Sequence, residues 1–190
     1  DHGPAVMRKR PGRKPVFTRR QVIDAALAEG IGSFTLRAVA ERLGVKATAL
    51  YRVFSSRQEL QLAAMNAISR DIEPDPRLRT WQEALRDVVN RYWDMCSRYP
   101  EAATVILTQP EAFGMALPRI AAIVERLAEL GIPAGTDGAA FALDFVVDMT
   151  LETYVSIQPY LTPDANGRTG LDRLTQILGG RPDLFGMQDL

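Results

Sequence analysis

A glycine between two short helical segments constrains this sequence more than any other feature does. Thr35 is a favourable helix N-cap, and the apolar stripe that follows it ends at Gly44, a residue type that commonly terminates helices. A second helix is predicted from Lys46 or Ala47 to Phe54. Two helices joined by a glycine-containing turn match a helix-turn-helix, whose second helix can enter the major groove of DNA. The residues expected to face inward are Leu36, Val39, Ala40, Leu43, Leu50 and Phe54.

Helical periodicity continues along the rest of the chain. Thr18 and Gln21 form a capping-box pattern before the first helix, and Ser56 and Glu59 form another before the fourth. Since no stretch shows sustained strand alternation, we predict an all-α fold, with an N-terminal three-helix bundle that contains the helix-turn-helix and a C-terminal helical bundle. The predicted parts are a flexible basic arm (1–15, with 1–6 interpreted as a cloning remnant), a helix-turn-helix DNA-binding domain (16–62) and a helical ligand-binding and dimerisation domain (63–190).

Charge is segregated although the chain as a whole is neutral. Residues 7–57 contain 12 Lys and Arg against 3 acidic residues, a net charge of +9. From residue 58 onward, 11 Arg stand against 19 acidic residues, a net charge of −8. A basic first quarter on an acidic remainder indicates that the first quarter binds a polyanion, and we predict double-stranded DNA as its partner.

Several function classes are disfavoured by residues that the sequence lacks. No apolar run approaches the roughly 18 residues that cross a bilayer, so no membrane association is predicted. Cys96 is the only cysteine, which fits a reducing cytoplasm, and His2 is the only histidine. Nucleophile–base pairs and metal sites usually recruit histidine or clustered cysteines. We therefore predict no enzyme activity, no catalytic residues, no cofactor and no metal.

The segment FTLRAVAERLGVKATALYRVFSSRQEL resembles the DNA-binding domain of the TetR family of bacterial regulators, because its apolar, turn and cap positions agree together. The resemblance implies a three-helix DNA-binding head, a helical body that binds a ligand and dimerises, and a homodimeric repressor that a small molecule releases from its operator. Two positions depart from the family pattern. Val53 stands where a histidine is common, and Lys46 stands where a serine is common.

The residues predicted to contact DNA lie in the basic arm and around the second helix of the helix-turn-helix. Lys46 and Thr48 are expected near the bases, whereas Tyr51 and Arg52 are expected to grip phosphates. The alternative is that this helix is simply packed and has an incidental polar face. The full predicted set is Arg8, Lys9, Arg10, Arg13, Lys14, Thr35, Lys46, Ala47, Thr48, Tyr51, Arg52, Ser56 and Arg57.

A weaker resemblance to the tetracycline-repressor class extends into the body. It implies ligand contacts at Arg70, Val88, Tyr92, Ile106, Gln109 and Glu152. Because Ile106 occupies the position of that class's metal-binding histidine, magnesium-chelated tetracycline is not the expected ligand. Aromatic, sulfur and acidic side chains of the body add further candidates, although any of them could instead be plain core or solvated surface. These additions are Cys96, Phe113, Met115, Phe145, Asp148 and Met149.

A long helix predicted near residues 137–157 carries two apolar faces, and both must be buried. One face contains Phe141, Phe145, Met149 and Glu152, and we predict that it closes the body's own core or pocket. The other face is predicted to form a homodimer interface together with the last predicted helix; a monomeric bundle is the alternative. The predicted interface residues are Leu143, Val147, Leu151, Tyr154, Leu171, Leu174, Ile177 and Leu178.

Two functions remain open at this point. The first is a homodimeric transcriptional repressor that a largely apolar small molecule releases from its operator. The second is a DNA-binding regulator without a small-molecule inducer, which would be constitutive, architectural or controlled by a protein partner.

Overall fold

The structure, a computed structural model, describes residues 17–177. Over that range the chain is all-α, as predicted, and no helix there is long and apolar enough to cross a membrane. The nine helices of this range are α1 (Arg19–Glu29), α2 (Leu36–Arg42), α3 (Ala47–Leu50), α4 (Arg57–Ile68), α5 (Trp81–Arg98), α6 (Ala102–Thr108), α7 (Pro110–Glu129), α8 (Gly135–Leu161) and α9 (Gly170–Ile177).

Helices α1 to α3 form a small head with its own apolar core. The capping box predicted before α1 is present, since Thr18 and Gln21 satisfy each other's backbone N–H groups. At α4 only half of the predicted box forms, because Ser56 caps the helix while the carboxylate of Glu59 binds Ser55. The core of the head is made of Phe17, Val22, Ala25, Ala26, Phe34, Val39, Ala40, Leu50, Phe54 and Leu60.

The second helix of the helix-turn-helix is shorter than predicted. Regular α-helix covers Ala47–Leu50 and does not extend to Phe54. The chain then continues with hydrogen bonds of the tighter 3₁₀ type. The N–H of Arg52 bonds to the carbonyl of Ala49 and the N–H of Val53 to that of Leu50, each three residues back. The final turn still seats Phe54 in the head core.

Helices α4 to α9 form the body around the long helix α8, which packs against α5, α6, α7 and α9. Helix α7 begins at Pro110, a favourable residue there because a proline at the first helical position loses no hydrogen bond. The left-handed φ of +80° at Gly131 turns the chain towards α8.

Helix α4 belongs to both the head and the body. Leu60 lies in the head core, whereas Ala64 and Met65 lie in the body core one turn later. Ile31, from the loop between α1 and α2, is also buried in the body core. The predicted division between residues 62 and 63 therefore falls inside a helix that packs on both sides of it.

Candidate DNA-binding and ligand-binding sites

The turn before α3 is built on a glycine in the left-handed region. Gly44 has a φ of +68°, which other residues adopt at a cost. The N–H of Val45 reaches back to the carbonyl of Ala40 across 3.0 Å and so closes the end of α2. Lys46 is the N-cap residue of α3, and its side chain makes no cap hydrogen bond because an ammonium can only donate.

One side of α3 and its final turn faces away from the head. Lys46, Thr48 and Arg52 are exposed, and Tyr51 is 57% exposed although it is a large aromatic side chain. Ala47 is half-buried against the head core, so its small side chain lets the helix lie close to the core. The exposed face therefore presents two cations, a hydroxyl and a phenol together.

Three predicted DNA contacts already have structural partners within the head. Arg57 donates from Nε to the carbonyl of Phe34 at 2.8 Å and from Nη2 to that of Gly32 at 2.7 Å, and its guanidinium lies 4.7 Å from the Phe34 ring centroid. The guanidinium of Arg57 therefore holds the loop between α1 and α2, and its predicted contact with DNA stays a prediction. Thr35 and Ser56 are helix N-caps that accept backbone N–H groups.

Most of the positive charge of the described head is paired internally. The pairs are Arg19–Glu59 at 3.5 Å, Arg20–Asp24 at 2.9 Å, Arg37–Glu41 at 2.8 Å and Arg42–Glu29 at 2.6 Å. Within residues 17–62, the cations that form neither an ion pair nor a hydrogen bond to backbone are Lys46 and Arg52. Both belong to the exposed face of the helix-turn-helix. The arm residues Arg8, Lys9, Arg10, Arg13 and Lys14 lie outside the described residues.

The body contains a cavity of about 420 Å³ that is partly open to solvent among α4, α5, α6, α7 and α8, a volume typical of small-molecule sites. Four of the predicted ligand residues line it: Tyr92, Ile106, Met115 and Asp148. Most other lining residues are apolar, including Met65, Ile120 and Ile123. These were missed because a lining position of α4 or α7 has the same apolar period as a core position.

The other predicted ligand residues lie elsewhere. Val88 and Cys96 are fully buried in the body core, and Arg70 and Glu152 are exposed without lining the cavity. Gln109 is the half-buried N-cap residue of α7. Phe145 and Met149 point to the outside of α8, with 56% and 47% of their surface exposed. The side chain of Phe113 lies outside the described part of the structure.

Polar groups of opposite charge stand at different parts of the cavity. On the half-buried side, Arg119 donates to the hydroxyl of Ser69 at 3.1 Å, and burial raises the pKa of the nearby Tyr92 phenol. On the exposed rim, the pKa of Asp148 is raised by partial burial and then by the like charges of Asp144 and Glu152. Asn66, Ser69 and Arg119 were not predicted as ligand residues.

The structure contradicts the interface role predicted for one face of α8. Leu143, Leu151 and Tyr154 are buried inside the chain's own body, and Val147 lines the cavity, so these four residues cannot form an exposed interface. Tyr154 packs edge-on against Trp93, with ring centroids 5.3 Å apart.

The face that was predicted to close the core or pocket is mostly exposed, and of its aromatic residues only Phe141 lines the cavity among the described residues. Phe141 is 74% exposed and stacks on Phe145, with ring centroids 6.2 Å apart, and Met149 continues the same strip one turn later. In α9, Leu171 and Leu174 are half-buried, whereas Ile177 is 78% exposed; Leu178 lies outside the described residues. We call Phe141, Phe145 and Met149 the outer strip.

Solved structures share this fold over most of the chain. BioQ from Mycobacterium smegmatis is 26% identical, with a TM-score of 0.65 over 86% of this chain and 93% of that one. A structure of BioQ with its natural double-stranded DNA operator is 22% identical, with a TM-score of 0.61 over 90% and 97%. TetR-Q116A from Acinetobacter baumannii AYE, in complex with minocycline, is 23% identical, with a TM-score of 0.61 over 88% and 98%. Among curated proteins, none matches the chain significantly.

The head also matches a family at the level of sequence. Residues 23–64, which include the whole helix-turn-helix, match the model of the bacterial regulatory proteins of the tetR family. The match and the shared fold together support a TetR-family transcriptional regulator. Members of this family are transcriptional regulators rather than enzymes, and this TetR-family protein is a DNA-binding regulator.

The loop between α1 and α2 joins the two parts of this TetR-family regulator. The carboxylate of Glu101, which precedes α6, accepts hydrogen bonds from the backbone of Gly32 and Ser33. Gln61, buried in α4, donates to the carbonyl of Ile31 at 2.8 Å. Sequence reasoning missed these residues because their partners lie 30 to 69 positions away along the chain.

The lone cysteine of this regulator has no chemical role in the cavity. Cys96 is fully buried, and burial raises the pKa of its thiol to about 11. A thiol of this kind is protonated at neutral pH and unreactive. Among the described residues, no cluster of His, Cys, Asp and Glu has the makings of a metal site.

Proposed function

We propose that this TetR-family regulator is a homodimeric repressor that leaves its operator when a largely apolar small molecule binds in the body cavity. The observation that carries the proposal is the position of the cavity against α4. Met65 and Asn66 line it from the second half of that helix and Ser69 lines it from the C-cap, while Leu60 in the same helix lies in the head core. A ligand that shifts α4 therefore acts on the head directly.

A second connection runs through α6. Ile106 lines the cavity, and Glu101 at the start of the same short helix binds the loop between α1 and α2. Both connections consist of a helix that touches the cavity at one end and the head at the other. The ligand would release DNA by binding more tightly to a head arrangement that does not fit the operator.

The outer strip of α8 is the proposed contact with a second copy of the chain. Large exposed apolar side chains are typical of protein interfaces, and the stacked Phe141 and Phe145 continue to Met149 along one helix face. A two-fold dimer would present two recognition helices about 34 Å apart, which is the spacing of half-sites one DNA turn apart. This interface does not include Leu143, Val147, Leu151 and Tyr154, because they are buried or line the cavity.

On the DNA side, we propose that Lys46 and Thr48 contact bases while Tyr51 and Arg52 contact phosphates. These four side chains are exposed together, and Lys46 and Arg52 are the uncommitted cations of residues 17–62. The basic arm would add phosphate contacts. The structure of BioQ, which has the same fold, contains its DNA operator, and the structure of TetR-Q116A contains minocycline. The fold therefore accommodates both kinds of partner.

The test uses a cavity-filling variant. Operator sequences are first selected from random DNA with the purified full chain, and compounds that loosen binding are found by fluorescence anisotropy. Ala116 is half-buried and lines the cavity, so Ala116→Trp should bind DNA normally but respond to the compound at least about tenfold more weakly. Ala121→Trp, on the exposed side of the same helix, is the matched control and should respond like the wild type.

Two outcomes would contradict the proposal. If Ala116→Trp releases DNA at the same compound concentration as the wild type, the compound does not act through this cavity. If no compound loosens DNA binding, the alternative of a regulator without a small-molecule inducer is favoured.

A further inference from the structure

The cavity of the proposed effector contains a cation without a counter-ion. Arg119 extends from α7 among apolar lining residues, and its hydrogen bond goes to a neutral hydroxyl, that of Ser69, at 3.1 Å. Among the described residues, no carboxylate lies within 4.0 Å of its guanidinium. A guanidinium carries five N–H donors, so most of its hydrogen-bonding capacity is unused by the protein.

The surroundings of Arg119 make that unused capacity costly. Arg119, Ser69 and Tyr92 are all half-buried, and the guanidinium is close enough to Tyr92 to oppose the burial-driven rise of the phenol's pKa. Charges removed from water without a partner are destabilising. A ligand oxyanion would supply the missing partner and form a charge-assisted, two-pronged pair with the guanidinium.

We infer that the effector is an anionic amphiphile, whose carboxylate or comparable oxyanion pairs with Arg119 and Ser69 while its apolar body fills the rest of the cavity. This inference rests on the proposed function, since it concerns the ligand of the same cavity. The apolar body would lie against Met65, Ile120 and Ile123, which leave no polar group to satisfy.

The carboxylates of the cavity do not offer an equivalent argument for a cationic ligand. Asp144 and Asp148 line the rim, but both are exposed. A solvated charge gains little from an ion pair because water already stabilises it. The half-buried cation therefore has more to gain from a ligand than the exposed carboxylates have.

The experiment compares three ten-carbon probes that differ in charge: decanoate, decanol and decyltrimethylammonium, all below their micelle concentrations. Binding to the full-length protein is measured by thermal shift and calorimetry, and DNA release by anisotropy on the selected operator. Decanoate should bind most tightly and release DNA. Arg119→Gln should weaken decanoate binding by about tenfold or more and leave decanol binding within about twofold.

Two further variants make the readout specific to charge recognition. Arg119→Lys should restore part of the decanoate preference, because it keeps the charge but loses the planar pair of donors. Arg86→Gln, at an exposed position of α5 outside the cavity, should behave as the wild type. Unchanged decanol binding and operator binding by Arg119→Gln would show that this variant is folded.

The outcomes separate the two proposals. Decyltrimethylammonium binding more tightly than decanoate, or Arg119→Gln leaving decanoate binding unchanged, would overturn the anionic effector while the regulator's response to a ligand stands. Failure of all three probes to bind would overturn both the anionic effector and the proposed effector cavity.

Discussion

The carboxylate of Glu101 accepts a hydrogen bond from the backbone N–H of Gly32 across 2.7 Å, and from that of Ser33 across 3.2 Å. This contact joins the start of α6 in the body to the loop between α1 and α2 in the head. Glycine is needed for the approach, since a Cβ at position 32 would lie 3.1 Å from the Cβ of Glu101, and Gly30 has a φ of +102°. A single acidic side chain thus holds the two parts together at this point.

Removing the carboxylate of Glu101 should destabilise the contact between head and body. We expect Glu101→Ala to lower the free energy of unfolding by about 1–3 kcal/mol, because two backbone donors lose a charged acceptor. The matched control, Glu125→Ala on the exposed side of α7, should change it by less than about 0.5 kcal/mol. Urea unfolding at one fixed chain concentration measures both. Equal losses in the two variants would mean that the bond adds nothing to stability.

Arg57 and Arg52 should separate stability from DNA binding. Arg57→Ala should cost about 1.5–3 kcal/mol of unfolding free energy, because two carbonyls lose a charged donor. Arg52→Ala should leave stability within about 0.5 kcal/mol while reducing the slope of log binding constant against log salt by about 0.9. Melting curves and salt titrations of operator binding provide the test, and the opposite pattern would assign Arg57 to DNA after all.

Substitutions of Thr48 and Tyr51 should affect DNA binding differently, one in sequence preference and the other in overall affinity. Tyr51→Ala should weaken binding to all sequences alike, because a phosphate contact carries no sequence information. Thr48→Ala should alter preference at one operator position, by about 1–3 kcal/mol if the contact is a good one. Affinities for a set of single-base operator variants measure both. A loss confined to one base position in Tyr51→Ala would contradict its phosphate role.

The outer strip of α8 should control assembly. Phe145→Glu is expected to raise the dissociation constant of the dimer by at least about tenfold, because an interface would have to bury an unpaired carboxylate. Ala121→Glu introduces the same charge on the exposed side of α7 and should leave assembly unchanged. Analytical ultracentrifugation over a range of concentrations reads out both variants. If Phe145→Glu assembles like the wild type, the dimer interface does not include the outer strip.

Cys96 should make stability fall at high pH. Burial raises the pKa of its thiol from 9.0 to about 11, so the folded state holds the proton more tightly than the unfolded state does. The stabilising contribution is complete below pH 9 and is lost as pH rises towards about 11. Cys96→Ala should therefore show a smaller decline of unfolding free energy across that range. Rapid alkylation of the native wild-type protein at neutral pH would contradict the burial of the thiol.

The elements of this protein follow from local sequence because their causes are local. The capping box of Thr18 and Gln21, the end of α2 at Gly44 and the helical period of the body depend on residues a few positions apart. The same is true of the exposed polar face around Tyr51, since a short helix with few apolar positions can bury only one side. All-α architecture and the helix-turn-helix were therefore predictable.

What only the tertiary structure decided depends on residues far apart in the chain. Two apolar faces on α8 look alike in sequence, and packing against α5 and α7 buried Leu143 and Leu151 while leaving Phe141 and Phe145 outside. The sequence does not show that the guanidinium of Arg57 binds carbonyl groups of the loop, because only the fold brings them together. The cavity that contains Arg119 arises because five helices meet without filling the space between them. The helical period of a sequence predicts which residues are buried, but it does not predict which helix packs against them.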